Sequence, residues 1–231
     1  MKILGITLAR GGSKSVPKKN IRYINNKPLI FYTISESLKS KYINRYLVST
    51  DDNEIRNISI EYGADVPFLR PKELSSDIAS SADALKHAVK FVEKQDECRY
   101  DYIVELMCTN PLKTVHDIDS CIQKIIKTKA DSVIAMNQLD DHHPARIKKI
   151  KDDKIVDFCV KEKLESRRQD LRPKAFIRSG SIYVMTRKEL MIHNRRYGSS
   201  NSRPYILPPE RTVNIDNEID FLVAEKMLSH K

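Results

Sequence analysis

An α/β fold, with a mostly parallel sheet and helices on both faces, is predicted by three features of the sequence. Short β-branched runs alternate with longer amphipathic runs from residue 2 to residue 137. A glycine-rich turn follows directly on the first β-branched run, where open α/β sheets place their ligands. With 231 residues, 40% of them hydrophobic, the chain can bury the core of one such domain.

Residues 2–8 (KILGITL) read as a buried strand, and a turn runs from there through Asn20. Pro28 opens a helical pattern, since its fixed φ and missing N–H suit a first turn. Residues 46–50 form a second strand, and a helix follows over 53–62, with Gly63 where a left-handed cap belongs. A third helix is predicted over 80–94, begun by Ser80, Ser81 and Asp83, whose short side chains bond orphan backbone donors. Residues 101–107 read as a central strand, 115–128 as a helix and 131–137 as another strand. The alternation then breaks. Residues 138–178 are polar and basic, with one strand-like run from Lys154 to Val160, and read as an insertion into a single domain spanning 1–231. A strand over 180–186, a short strand near 212–216 and a helix over 217–229 complete the pattern.

Composition narrows the function classes. No run approaches the roughly 20 apolar residues of a membrane span. Residues 1–9 are apolar but lead into charged residues rather than a cleavage site, so no signal peptide is expected. Cys98, Cys108, Cys121 and Cys159 form no C-x-x-C pair, and free thiols without an export signal point to a reduced cytoplasm. The net charge of +10 is uneven. Residues 1–45 hold ten basic residues and one acid, residues 46–143 hold eleven and eighteen, and residues 144–178 hold twelve and six. Two basic blocks flanking an acidic one suit an enzyme with two anionic substrates, or a nucleic-acid binder. The second is disfavoured, because the chain has no Trp and no aromatic stacking motif.

The turn itself, LARGGSKSVPKKN from Leu8 to Asn20, is the strongest local signal. Gly11 and Gly12 let backbone approach an anion, and successive N–H groups there form an anion-binding nest. Arg10, Lys14, Lys18 and Lys19 bring four cations to the same place, more than a fold needs and apt for a triphosphate. The spacing is neither G-x-x-x-x-G-K-[ST] nor G-x-G-x-x-G, so neither a P-loop nor a dinucleotide turn is expected.

With VSTDDNEI at 48–55, FLRPKELSSDIASS at 68–81, CTNPLK at 108–113, HHP at 142–144, RRQDL at 167–171, GSIYV at 180–184 and IDNEIDF at 215–221, this turn forms an ordered series along nearly the whole chain. The series resembles the CMP-sialic acid synthetase family, the acylneuraminate cytidylyltransferases. The resemblance implies a Rossmann-like nucleotidyltransferase fold of three layers with a small dimerisation insertion. It implies transfer of CMP from CTP to an acidic nine-carbon sugar, with Mg²⁺ as cofactor and a homodimer as the working form. By the same resemblance, Arg10, Lys14 and Lys19 would be catalytic, and Arg10, Gly11, Ser13, Lys14, Asn20, Arg70 and Ser81 would bind the nucleotide. Met107, Arg146, Arg168 and Ser179 would face the sugar, Arg146 and Arg168 reaching it from an arm over the partner's site. Asp216 would hold the metal.

Three departures bear on the sugar and the metal. Met107 stands where sialic acid members carry Gln, Ser179 where they carry Asn, and Asn214 where they carry a second aspartate. The first two favour a related nonulosonate of legionaminic or pseudaminic type over N-acetylneuraminic acid. A CMP-Kdo synthetase is the nearest rival, and Lys14 followed by Pro17, Lys18, Lys19 and Asn20 argues against it.

Overall fold

A computed structural model describes residues 1–13, 15–139, 141–161 and 167–229. Six strands form its central sheet in the order β10-β6-β9-β5-β1-β4. These are β1 (Ile3–Leu8), β4 (Arg45–Ser49), β5 (Tyr102–Leu106), β6 (Ser132–Leu139), β9 (Ala175–Thr186) and β10 (Ser202–Ile206). β4, β1 and β5 pair in parallel, as do β6 and β10, and β9 alone runs antiparallel between β5 and β6.

Strand alternation sorts side chains to two faces. Ile3 and Ala9 of the first strand segment share a cluster with Ile30, Ile34, Ile55, Ile118, Ile122 and Ile125. Those residues come from α1 (Leu29–Leu38), α2 (Asn53–Glu61) and α4 (Val115–Thr128), which cover one face. Leu4 and Ile6 pack on the other face against Leu85, Ala88, Val89 and Val92 of α3 (Ser81–Gln95), and against Leu190 of α5 (Arg187–Met191). Three layers result. A smaller cluster joins Val16, Ile24 and Leu29 to Phe221 and Ala224 of α6 (Glu218–Leu228), so the last helix buttresses the glycine-rich turn.

The helix starts follow from their caps. Asp52 accepts from the Ile55 N–H at 2.9 Å, and Ser80 from the Asp83 N–H at 3.1 Å. Thr114 with Asp117 and Asn217 with Asp220 form reciprocal capping boxes. Gly63 has φ +89°, the left-handed conformation that its place after α2 demands.

Two regions differ from the sequence expectation. Residues 212–216 are not a strand. Their backbone is met by isolated groups instead of a ladder: the Ile215 N–H donates to the Thr109 carbonyl at 2.8 Å, and Asn137 Nδ2 of β6 donates to the Thr212 carbonyl at 3.1 Å. The strand in this part of the chain is β10, which contains Pro204 and lies at the sheet edge, where a missing N–H costs no ladder bond. Within 138–178 the run from Lys154 is one arm of a hairpin, β7 (Lys148–Lys151) with β8 (Lys154–Asp157), closed by Asp152 and Asp153 at φ 50° and 60°. β6 and β9 themselves extend into the segment, since Met136 to Leu139 pair with Arg178 to Ala175. The remaining short strands, β2 (Tyr23–Ile24) and β3 (Lys27–Pro28), pair with each other ahead of α1.

Candidate active site

The parallel strands β4, β1 and β5 end on one side of the sheet, and the loops leaving them surround a pocket of about 280 Å³. Arg10, Arg70, Ser81 and Met107 line it, together with Leu8, Asp77 and Glu105. Four residues selected from three separate stretches of sequence therefore meet in one place.

The glycine-rich turn is tied down on both sides. The Ala9 N–H donates to the Ser49 carbonyl at 3.0 Å, and the Gly11 N–H to Asp51 Oδ1 at 3.1 Å. A Cβ on Gly11 would come within 2.8 Å of the Asp52 carboxylate, so this glycine allows the turn to lie against the start of α2. Ser13 donates its backbone N–H to the Gly11 carbonyl at 3.0 Å. Asn20 is buried, and its Nδ2 donates to the Arg10 carbonyl at 3.0 Å, bracing the turn from within. Lys19 reaches away from the base of the turn to the last loop, donating to the Ile215 carbonyl at 2.8 Å with its ammonium 3.7 Å from Asp216 Oδ1. Arg10 crosses the pocket rim to Asp77 at 3.0 Å and the Ser76 carbonyl at 3.2 Å. Lys14 lies outside the described residues.

Arg70 is the unusual group. Its side chain is 4% exposed, and its nearest carboxylate is Asp51 Oδ1 at 3.9 Å. Nε and Nη2 are buried without a hydrogen-bond partner. Burial works to lower its pKa, the Asp51 charge to restore it, and the Arg10 charge to lower it again. A buried guanidinium with idle donors is costly, and its backbone is pinned by the Arg70 N–H to the Thr50 carbonyl at 2.7 Å. Arg70 also lines the pocket, so this under-used guanidinium stands at its wall.

On the far side, Lys113 is 1% exposed and donates to Thr33 Oγ1, the Met107 carbonyl and the Asn110 carbonyl at 2.7, 2.7 and 2.6 Å. Burial pushes its pKa down to about 8. It shapes the turn after β5 and so fixes Met107. The sequence pattern places Glu105 only within a strand. It is a charged residue on a central strand between Ile103 and Met107, and that anomaly was the signal available in the sequence. Its Oε2 accepts from Arg196 Nη1 at 2.6 Å. Burial raises the Glu105 pKa, and Arg196 opposes the rise.

The remaining sugar candidates are placed differently. Ser179 is buried, with its hydroxyl donating to the Ala135 carbonyl at 2.9 Å. Arg146 and Arg168 are exposed on the 138–178 segment and do not line the Arg70 pocket. Arg168 pairs with Asp141 at 2.6 Å.

Among the described residues, no group of three or more His, Cys, Asp or Glu is arranged around a metal position. Asp216 does fit a sparser site. Its side chain is 68% exposed, and the Asn214 amide donates to one of its oxygens. Asn214 Oδ1 beside it is buried without a partner. A carboxylate with amide oxygen at hand suits magnesium, whose shell is otherwise filled by water and phosphate oxygens.

A three-layer α/β sheet with a cationic glycine turn after its first strand is an arrangement suited to binding a nucleotide's phosphates. The model of one family, described as cytidylyltransferase, matches residues 4–196, and the chain belongs to that family. The chain is 32% identical over 225 residues to a pseudaminic acid cytidylyltransferase of Campylobacter jejuni, covering 97% of this chain and 95% of that one. It is 30% identical over 244 residues to a CMP-N,N'-diacetyllegionaminic acid synthase of Legionella pneumophila, covering 99% and 97%. A solved CMP:2-keto-3-deoxy-manno-octonic acid synthetase complexed with CTP shares the fold, with TM-score 0.73 at 16% identity, covering 100% and 99%.

Proposed function

We propose that this chain transfers CMP from CTP to the anomeric hydroxyl of a nonulosonic acid of pseudaminic or legionaminic type, releasing pyrophosphate. The observation that carries the reading is the pocket in which Arg70, with two idle buried donors, faces the space beside the glycine turn. Cytosine presents adjacent acceptors, O2 and N3, and a guanidinium is the side chain that meets two acceptors at once. Uracil carries a donor at N3 and would leave one Arg70 group unpaired. Asn20 and Ser81 support the nucleoside, Asn20 by holding the turn and Ser81 from the start of α3.

In this reading Arg10, Gly11, Ser13, Lys14 and Lys19 receive the triphosphate. The sugar hydroxyl attacks the α-phosphorus, its O–P bond forms, and the bond to the pyrophosphate oxygen breaks. Such transfer asks positioning and charge neutralisation of a protein rather than covalent chemistry. Arg10 must leave Asp77 to meet a phosphate, and Lys19 is already held beside Asp216. Asp216 would hold a magnesium ion together with nucleotide oxygens, and that ion would neutralise charge on the phosphates. Arg146 and Arg168 would serve the sugar carboxylate in a homodimer, reaching the partner's pocket rather than their own. The four unpaired cysteines suit work in the cytoplasm.

The test is pyrophosphate release from CTP with pseudaminic, legionaminic and N-acetylneuraminic acids and with Kdo, the product identified by mass. Turnover with one of the diamino acids well above that with Kdo is expected. Turnover with Kdo alone, or with none of the acids, contradicts the proposal.

A further inference from the structure

Glu105 and Arg196 form a buried ion pair that the fold itself does not require. The neighbours of Glu105 on its face of β5, Ile103 and Met107, belong to or pack on the apolar cluster against α3. An apolar residue would continue that cluster, and buried ion pairs are often replaced by apolar ones with no loss of stability. Yet the pair is built with care. Arg196 is held by a segment anchored at three points: Arg195 pairs with Glu189 at 2.9 Å, Lys86 of α3 donates to Asn194 at 3.2 Å, and Leu190 is fully buried. Its guanidinium sits 4.9 Å from the Tyr183 ring centre and 5.8 Å from that of Tyr197. Arg178 covers Tyr197 at 4.4 Å.

The carboxylate is not fully used. Oε2 takes the Arg196 donor, and among the described residues no hydrogen bond reaches Oε1. The residue is 1% exposed, yet it lines the Arg70 pocket. Oε1 therefore keeps an open acceptor position at the pocket wall, one that a ligand N–H or O–H can fill.

Sheet order tells which substrate brings that donor. The glycine turn leaves β1, and Arg70 is pinned at the end of β4, so the nucleotide side is the β1–β4 edge. Glu105 lies on β5, with Tyr183 on the adjoining β9, on the opposite side of β1. We propose that Glu105 is a specificity-determining residue on the acceptor side, its carboxylate fixed by Arg196 to accept a hydrogen bond from an amide N–H or hydroxyl of the sugar acid. This rests on the proposed transfer to a nonulosonic acid.

The test uses the double variant Glu105→Leu/Arg196→Leu, which leaves no unpaired buried charge, and the single variant Arg196→Lys. Steady-state kinetics are measured for CTP and for an acceptor series in which acylamino groups are replaced singly by hydrogen. Wild-type turnover of the parent acid establishes the reaction independently, so its absence would reject the proposed function rather than this role. The double variant is expected to raise the KM of the parent acid about 10- to 100-fold, to leave the KM of CTP within about twofold, and to accept parent and truncated acids alike. Arg196→Lys is expected to give a smaller shift of the same kind. An unchanged acceptor preference in a folded variant would make the pair merely structural. A raised KM for CTP instead would place the donor on the nucleotide, and either result overturns the proposal. Should the double variant fail to fold, unchanged discrimination by Arg196→Lys would do the same.

Discussion

Arg70 and Arg211 are both arginines at the carboxyl side of the sheet, and the protein treats them in opposite ways. Arg211 is 19% exposed and fully engaged. It reaches both oxygens of the buried Asp117 at 2.9 Å, and Tyr205 and Thr114 complete that carboxylate. Arg70 is more deeply buried, yet two of its donors meet nothing and its carboxylate stands 3.9 Å away. A satisfied buried cluster ties elements together, here α4 to β10 and the loop after it. An unsatisfied one is a cost that folding alone would not retain. The contrast separates scaffold from site without reference to any relative.

The comparison predicts that damage on the two sides has different signatures. The largest effect is expected in the glycine turn that completes the Arg70 side. Lys14→Ala should lower kcat about 100- to 1,000-fold, since an ammonium beside a departing pyrophosphate acts where charge develops. Its melting temperature should not move. Lys14→Arg should recover only part, because a planar fork does not replace a compact charge. A near-normal kcat would reduce the turn to a basic surface loop.

On the Arg211 side the effect should fall on stability alone. Asp117→Asn leaves the partly buried Arg211 guanidinium with only the exposed Glu210 carboxylate at 3.3 Å as charge partner, a loss of about 3 kcal/mol, or about 6–12 °C in a chain of this size. The kcat/KM for CTP should hold. Burial acts to raise the Asp117 pKa, but the hydrogen bonds from Arg211, Thr114 and Tyr205 outweigh it and hold the carboxyl below its ordinary range. Its contribution is therefore present above about pH 4 and is lost as pH falls through the depressed value. The gap in melting temperature between wild type and variant should narrow in acid. A gap that is constant with pH would show that the charge is not what stabilises.

The smallest effect concerns Arg10. Its pair with Asp77, both side chains substantially exposed, competes with a phosphate for the same guanidinium. Exposed pairs contribute roughly 0.2–1 kcal/mol, so Asp77→Asn should lower the KM of CTP about 1.5- to 5-fold with stability unchanged. A raised KM would assign Asp77 to nucleotide binding instead.

What the sequence made legible was local chemistry. Ser80 announced its helix because a short polar side chain there can bond the first-turn N–H, and the structure shows the same device at Asp52, Thr114 and Asn217. The cations of the turn pointed to Arg10, whereas Arg70 was marked only by the resemblance that FLRPKELSSDIASS carries, since Arg-Pro alone reads as an ordinary loop. β10 was hidden because Pro204 argues against a strand unless its edge position is known. The run 212–216 alternates like a strand, but its backbone is claimed by Thr109 of a distant loop and by the side chain of Asn137 on β6. The pairing of Glu105 with Arg196, 91 positions apart, follows from the β5–β9 register and the anchored segment after α5, neither of which is a local property.

The central claim, that idle donors on Arg70 are there to read cytosine, is tested most directly by nucleotide preference. Pyrophosphate release is measured with CTP and UTP for wild type and for Arg70→Met, which keeps most of the buried stem. Wild type should favour CTP over UTP by about 100-fold in kcat/KM, as expected when a wrong base leaves a buried polar group unpaired. In Arg70→Met the preference should collapse to within a few-fold, with a melting temperature equal to or above that of wild type. An undiminished preference for CTP in a folded Arg70→Met enzyme would contradict the account.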